Sequence, residues 1–225
     1  MRPMPRNAKQ DAVDEPTFER LLEATDELPE PFETECAGIL IFGGRLGMRG
    51  GEIAHLDESW VNWDRQMIEI PAHDRCEHGT GGGPCGYCKQ QAALAAENDD
   101  DLSYDAALEA RWEPKTPNSA RAIPFGFDPE IEAAVEAFFE RYDCYEHSRA
   151  SVNRRVDRIL DRAGLPRDSC YPHALRATAA TWHAYRGLSA PALQSLFGWA
   201  NLDVAQKYIR LSGGATADAL EETHR

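Results

Sequence analysis

The sequence lacks an apolar run long enough to cross a lipid bilayer, and its polar residues 1–14 contain no hydrophobic signal segment. These absences argue against membrane-spanning and secreted proteins and predict a cytoplasmic location. The six cysteines are therefore expected to be thiols or metal ligands rather than a disulfide framework. With 225 residues, of which 42% are hydrophobic, the chain is long enough for one packed domain.

Lysine is also scarce, and negative charge dominates. Of the 24 residues counted as Lys or Arg, four are Lys and 20 are Arg, against 38 acids and a net charge of −14. An acid-rich, lysine-poor surface stays soluble in concentrated salt, so the composition favours a halophile's protein. Concentrated salt screens the attraction between protein and DNA in any case, so this charge does not exclude a DNA partner. The alternative is an acidic protein that never meets DNA.

Apolar spacing and capping residues predict a largely helical chain. Asp128 followed by proline is a helix start, and Ser151 is expected to cap the next helix. Helices are predicted at 16–28, 31–42, around 53–56, 128–139, 151–163, 172–186, 190–197 and 202–211. A hairpin of strands 60–64 and 66–70 and a later partner strand at 120–125 are also predicted.

An insertion from Pro71 to about Trp112 separates the hairpin from its partner strand. Four metal-ligand side chains fall within thirteen of its residues: Cys76, His78, Cys85 and Cys88. A Cys-x-x-Cys pair on a tight turn is a common half of a tetrahedral zinc site, and the glycine-rich loop has little apolar content to order it. The sequence therefore predicts a structural zinc ion, with His73 as an alternative to His78. The other interpretation is a flexible loop with free thiols.

The predicted helix that begins near Pro172 carries His173 and Arg176 on one face, because they lie three residues apart. A helix N-terminus favours anions, and an imidazole with a guanidinium there indicates a phosphate site. Farther along, Tyr208 follows Trp199 by nine residues and has basic neighbours in sequence.

These motifs resemble the catalytic signature of the tyrosine recombinases, the phage integrase family. The family pattern runs His-x-x-Arg, then Leu-Gly-His or Leu-Gly-Trp, then Tyr nine residues later. This chain has His173-Ala-Leu-Arg176, Phe197-Gly-Trp199 and Tyr208. An upstream Gly-Leu-Arg-x-x-Glu box corresponds to the segment Leu46–Glu52, which supplies Arg49 and Glu52. The resemblance covers roughly residues 15–212 and, with the composition, indicates a haloarchaeal type.

The resemblance implies a mainly α fold with a small three-stranded antiparallel sheet (α+β). Residues 15–212 are then a catalytic domain interrupted by the 71–112 insertion, residues 1–14 a disordered N-terminus, and residues 213–225 a short tail. It also implies double-stranded DNA as the partner, a homo-oligomer on DNA, and catalysis that needs no cofactor.

The resemblance further assigns roles in DNA cleavage and rejoining. Tyr208 attacks the scissile phosphate and forms a 3′-phosphotyrosyl link, while Arg49 and Arg176 hold the non-bridging oxygens. His173 takes part in proton transfer, and Lys115, in a Lys-Thr pair before the third strand, protonates the 5′-oxygen. The indole N–H of Trp199 donates to a phosphate oxygen. The expected catalytic set is Arg49, Lys115, His173, Arg176, Trp199 and Tyr208.

Three other functions compete with this interpretation: a catalytically silent DNA-binding regulator, a type IB topoisomerase-like enzyme, and an interaction protein whose functional part is the Cys/His insertion. A basic helix face bears on DNA binding as well. It either lies along a phosphate backbone, which we expect, or balances acids such as Asp157 and Asp161. Its residues are Arg154, Arg155, Arg158 and Arg162.

Overall fold

The computed structural model describes residues 11–79, 81–114 and 116–224. Its helices are α1 (Glu15–Asp26), α2 (Phe32–Gly44), α3 (Gly50–Ile53), α4 (Gly86–Asn98), α5 (Tyr104–Glu109), α6 (Pro129–Phe139), α7 (Arg149–Arg162), α8 (Pro172–Tyr185), α9 (Ala190–Phe197), α10 (Leu202–Ser212) and α11 (Gly214–His224). Short 3₁₀ turns lie at Glu58–Trp60 and Pro117–Ser119. None of the helices in the described ranges is long and apolar enough to span a membrane.

A three-stranded antiparallel sheet accompanies these helices, in the order β1 (Val61–Asn62), β2 (Met67–Ile70), β3 (Arg121–Pro124). Ile68 of β2 pairs with both Val61 and Ile123, which fixes the register. Because β3 follows the whole insertion, the sheet brings the two ends of the insertion together. The predicted fold, mainly helical with a small antiparallel sheet, is confirmed.

Helix α2 lies at the centre of the core, because it is apolar on nearly all sides. It packs against α1, α6, α7 and α8. Phe42 contacts Phe138 of α6 edge-on, with ring centroids 5.1 Å apart. A second apolar cluster joins α8, α9 and α10 and includes Phe197 and Tyr208. The predicted catalytic residues that the structure describes therefore lie on elements packed by two adjoining apolar clusters.

The short helix predicted around residues 53–56 lies at Gly50–Ile53 instead, and the predicted cap of α7 is wrong. Ser151 does not cap α7: Ser148, which has an extended backbone, is the N-cap, and Ser151 is a buried residue within the first turn. The apolar pattern starts only at Val152, so the helix start was placed one turn late.

The prediction of a disordered segment 1–14 fails for residues 11–14, while residues 1–10 lie outside the described part. The Val13 amide donates to the hydroxyl of Thr178 on α8 at 3.0 Å, and the Tyr171 hydroxyl donates to Asp11. These partners order the chain just before α1.

Candidate active site

Helix α8 begins at Pro172, after Tyr171 in an extended conformation, so that its first turn faces a cavity of about 460 Å³. Arg49, His173 and Arg176 all line this cavity. The structure thus brings together the arginine of the Leu46–Glu52 box and the histidine and arginine of the His-x-x-Arg motif. Other lining residues are Gly50, Gly51, Glu52, Tyr87, Gln91, Trp112, Glu113, Arg149, Asn153, Tyr171 and Pro172.

The carboxylate of Glu52 organises two arginines at one side of the cavity. It binds Arg121 through two bonds of 3.0 and 2.9 Å, and it accepts 2.7 Å from the Arg49 guanidinium and 2.8 Å from the Arg49 backbone N–H. Burial alone would raise the pKa of Glu52. The opposing charge and hydrogen bonds of Arg121, with smaller contributions from Arg176 and Arg49, lower that pKa to about 2. Glu52 is therefore ionised and fixes the direction of the Arg49 side chain.

The guanidinium of Arg176 links the Leu46–Glu52 box to the Phe197-Gly-Trp199 motif. Its terminal nitrogens donate to the backbone carbonyls of Gly47 and Phe197, and the side chain is almost fully buried. Burial lowers the pKa of Arg176, although the nearby Glu52 carboxylate opposes that shift. Gly47 has a positive φ of 66°, and a Cβ there would overlap the Phe197 ring. The glycine thus lets its own backbone lie close to Phe197, and Arg176 binds the carbonyls of both residues.

Three aromatic rings stack beside Arg176. Trp199 lies between Phe197, at 4.7 Å, and Tyr208, at 5.2 Å between ring centroids. Burial raises the pKa of the Tyr208 phenol, and the charge of Arg176 partly counteracts this. Neither Trp199 nor Tyr208 lines the cavity that contains the other described signature residues. Lys115, the remaining predicted catalytic residue, lies outside the described residues.

Two further contributors to this site were missed from the sequence. Arg149, the first residue of α7, lines the cavity and places its guanidinium 5.4 Å from the Tyr87 ring of the insertion. Arg121 is not in the expected catalytic set, although it pairs with Glu52. Because the chain has 20 arginines, the sequence alone does not distinguish these two from the others.

The metal-ligand group differs from the prediction in one member. Cys76, Cys85 and Cys88 converge with His55, and their ligand atoms lie within 4.8 Å of one another. His78 is not part of this group: its ring lies 5.2 Å from the His55 ring, centroid to centroid. His73 is not part of it either, and its imidazole contacts the carbonyl of Glu109. The turn after α3 reaches the insertion and supplies the histidine.

Two of the four arginines on the basic face of α7 pair with acids outside that helix. Arg155 binds Glu35 at 2.5 Å, and Arg162 binds Glu27. Arg158 lies over the Phe32 ring at 3.7 Å. Arg155 and Arg162 therefore balance acidic side chains, which is the alternative to DNA contact. Those acids are not the predicted Asp157 and Asp161. Contact of this face with DNA stays a prediction.

Comparison with known proteins places the fold. The phage integrase family model matches residues 119–213, a segment that includes His173, Arg176, Trp199 and Tyr208. No curated protein sequence shows a significant match.

Several solved structures are similar in fold. The XerA recombinase has 18% identity and a TM-score of 0.61, over all of this chain and 67% of that one. The Tn1549 transposon integrase in complex with transposon right end DNA has 17% identity and a TM-score of 0.61, over 93% of this chain and 66% of that one. The XerH site-specific recombinase bound to palindromic difH substrate, in a post-cleavage complex, has 16% identity and a TM-score of 0.57, over 95% and 53%. The chain spans about two thirds or less of these proteins.

Proposed function

We propose that this protein cleaves and rejoins double-stranded DNA at specific sites through a 3′-phosphotyrosyl intermediate formed by Tyr208. The observation that carries the proposal is the convergence of Arg49, His173 and Arg176 on one cavity, next to the buried Tyr208. The recombinases of similar fold, two of which are bound to DNA, support the same class of activity.

The cavity suits a phosphodiester because its cationic groups are oriented before the substrate arrives. Glu52 holds the Arg49 guanidinium in place, and the planar group offers its remaining donors to non-bridging oxygens. Such preorganised charge stabilises the additional negative charge of the pentavalent transition state. Arg176 contributes its charge from the buried end of the cavity. His173, on the first turn of α8, exchanges a proton with the phenol, and Lys115 protonates the departing 5′-oxygen.

Attack requires Tyr208 to approach the cavity. Its phenol is stacked on Trp199 and is 7% exposed, and burial raises its pKa. We infer that DNA binding, or assembly of a homo-oligomer on DNA, shifts α10 so that the phenol reaches the phosphorus atom. While the phenol stays buried, its raised pKa keeps it protonated, and a protonated phenol is a weak nucleophile.

A direct test uses duplexes of randomised sequence that each carry a nick, so that cleavage releases a short fragment and traps the covalent product. Because the composition favours a halophile's cytoplasm, the reaction is run in molar KCl. We expect an adduct that survives SDS with wild type and disappears with Tyr208→Phe. The matched control is Tyr171→Phe, since Tyr171 lines the cavity itself. Loss of the adduct with Tyr171→Phe and not with Tyr208→Phe would overturn the assignment.

A silent DNA-binding regulator is the second candidate. The observation that favours it is the position of Tyr208, which is buried outside the cavity lining. Retention of DNA by the wild type without any adduct, across the whole randomised pool, would support the regulator.

A further inference from the structure

The insertion meets the core at a group of four metal-ligand side chains. We propose that His55, Cys76, Cys85 and Cys88 bind one Zn²⁺ ion, and that this ion fastens the insertion against the phosphate cavity. Three of these ligands come from the insertion, whereas His55 follows α3 in the core. The site is therefore a cross-link between two parts of the chain, rather than a knuckle closed within one loop.

The distances fit a tetrahedral zinc site. The His55 Nε2 atom lies 3.6 Å from the Cys85 sulfur and 3.4 Å from the Cys88 sulfur. Zn–S bonds of about 2.3 Å and Zn–N bonds of about 2.0 Å at tetrahedral angles place nitrogen and sulfur about 3.5 Å apart. Three thiolates and one imidazole are a donor set that zinc prefers.

The surrounding hydrogen bonds orient the ligands. His55 Nδ1 donates to the carbonyl of Gly51 at 2.8 Å, so the lone pair of Nε2 is directed at the cysteines. The Cys85 amide lies 3.4 Å from the Cys76 sulfur, and the Cys88 amide 3.5 Å from the Cys85 sulfur. N–H groups aimed at sulfur stabilise thiolates.

The zinc site lies one hydrogen bond away from the phosphate cavity. Gly51, which accepts from His55, lines the cavity, as does its neighbour Glu52. On the insertion side, Cys85 is the N-cap of α4, and that helix places Tyr87 and Gln91 in the cavity lining. An ion bound to both sides therefore sets the position of α4 over the cavity.

A short aromatic stack packs against the histidine of the site. The His55 ring stacks on Trp112 at 5.2 Å, and Trp112 stacks on Trp60 at 5.1 Å. Gly81 and Gly82, in the loop between Cys76 and Cys85, are exposed, so we expect metal ligation to contribute to the order of this loop.

The test is the metal content of purified protein, measured by plasma mass spectrometry together with Co²⁺ substitution. Wild type is expected to hold about one zinc per chain. His55→Ala and Cys85→Ser are expected to lose it, whereas His78→Ala and Cys144→Ser, the matched histidine and cysteine controls, keep it. If the variants fail to fold, the Co²⁺ form of the wild type still decides, because tetrahedral thiolate ligation gives intense visible bands and sulfur-to-cobalt charge transfer.

The cross-linking role is tested on the same wild-type protein by hydrogen exchange before and after chelation. Faster exchange in both α4 and α3 is expected after zinc removal, and faster exchange in α4 alone would overturn the cross-link. Metal-free wild type without cobalt bands, or loss of zinc in His78→Ala but not in His55→Ala, would overturn the site. None of these measurements uses DNA, so they stand or fall independently of DNA cleavage.

Discussion

The indole of Trp199 lies parallel to the phenol of Tyr208, with ring centroids 5.2 Å apart and planes 3° apart. The same indole stacks on Phe197, whose carbonyl accepts from Arg176. The proposed nucleophile is thus stacked on Trp199, and Trp199 is stacked on the residue that Arg176 binds. Two roles are proposed for Trp199. Its ring stacks on the Tyr208 ring, and its indole N–H donates to a phosphate oxygen.

Two substitutions distinguish these roles. Trp199→Phe keeps a stacking ring but removes the N–H, so we expect near-native stability and a rate of adduct formation lower by about 100-fold. Trp199→Ala removes the ring as well and should lower the free energy of unfolding by about 2 kcal/mol or more. Urea unfolding and adduct kinetics measure the two effects. A native rate for Trp199→Phe would refute the donor role.

Glu52→Gln should be strongly destabilising. It leaves Arg49 and Arg121 without the buried carboxylate that pairs with both, and breaking such a pair costs about 3–5 kcal/mol. The control is Glu69→Gln, which alters an exposed pair with Arg65 and should change stability by less than about 1 kcal/mol. Equal effects of the two substitutions in urea unfolding would contradict the role of Glu52.

Acid sensitivity follows from the same carboxylate. Its folded-state pKa of about 2 lies below the ordinary glutamate value of about 4.3, so the stabilisation is complete above pH 4.3. It is lost as the pH falls towards 2, by about 3 kcal/mol in total. We expect urea midpoints to fall over this window in wild type and to fall less in Glu52→Gln. Identical pH profiles for the two proteins would show that another group is responsible.

Arg149 is predicted to contact a DNA phosphate, because it reaches the cavity from the first turn of α7. Arg149→Ala should weaken DNA binding uniformly across sequences and reduce the slope of log affinity against log salt by about 1. The control is Arg141→Ala, since Arg141 pairs with Glu30 on the surface. Binding is measured by fluorescence anisotropy over a salt series. An unchanged slope for Arg149→Ala would place this residue outside the DNA interface.

Local signals in the sequence predicted much of this molecule. The N-cap of α6 at Asp128 and the bounds of α9 follow from capping residues and apolar spacing, and the structure confirms both. The convergence of Arg49 with His173 and Arg176 was expected from the resemblance alone, since the residues are far apart in the chain.

Long-range partners could not be predicted in the same way. Glu52 and Arg121 are 69 residues apart, and nothing local marks them as a pair. The Cys-x-x-Cys spacing revealed the thiols, but the histidine that joins them lies before the hairpin, outside the insertion. His78 is near the cysteines in sequence, whereas the fold brings His55 nearer to them in space.

In the proposed reaction Tyr208 carries the cleaved DNA. Mass spectrometry of the SDS-resistant product after nuclease and protease digestion tests this directly. We expect a nucleotide attached through phosphate to the tyrosine of the peptide that contains Tyr208. Attachment at Tyr171 or at any other residue, or protein that retains DNA but yields no linked peptide, would contradict it.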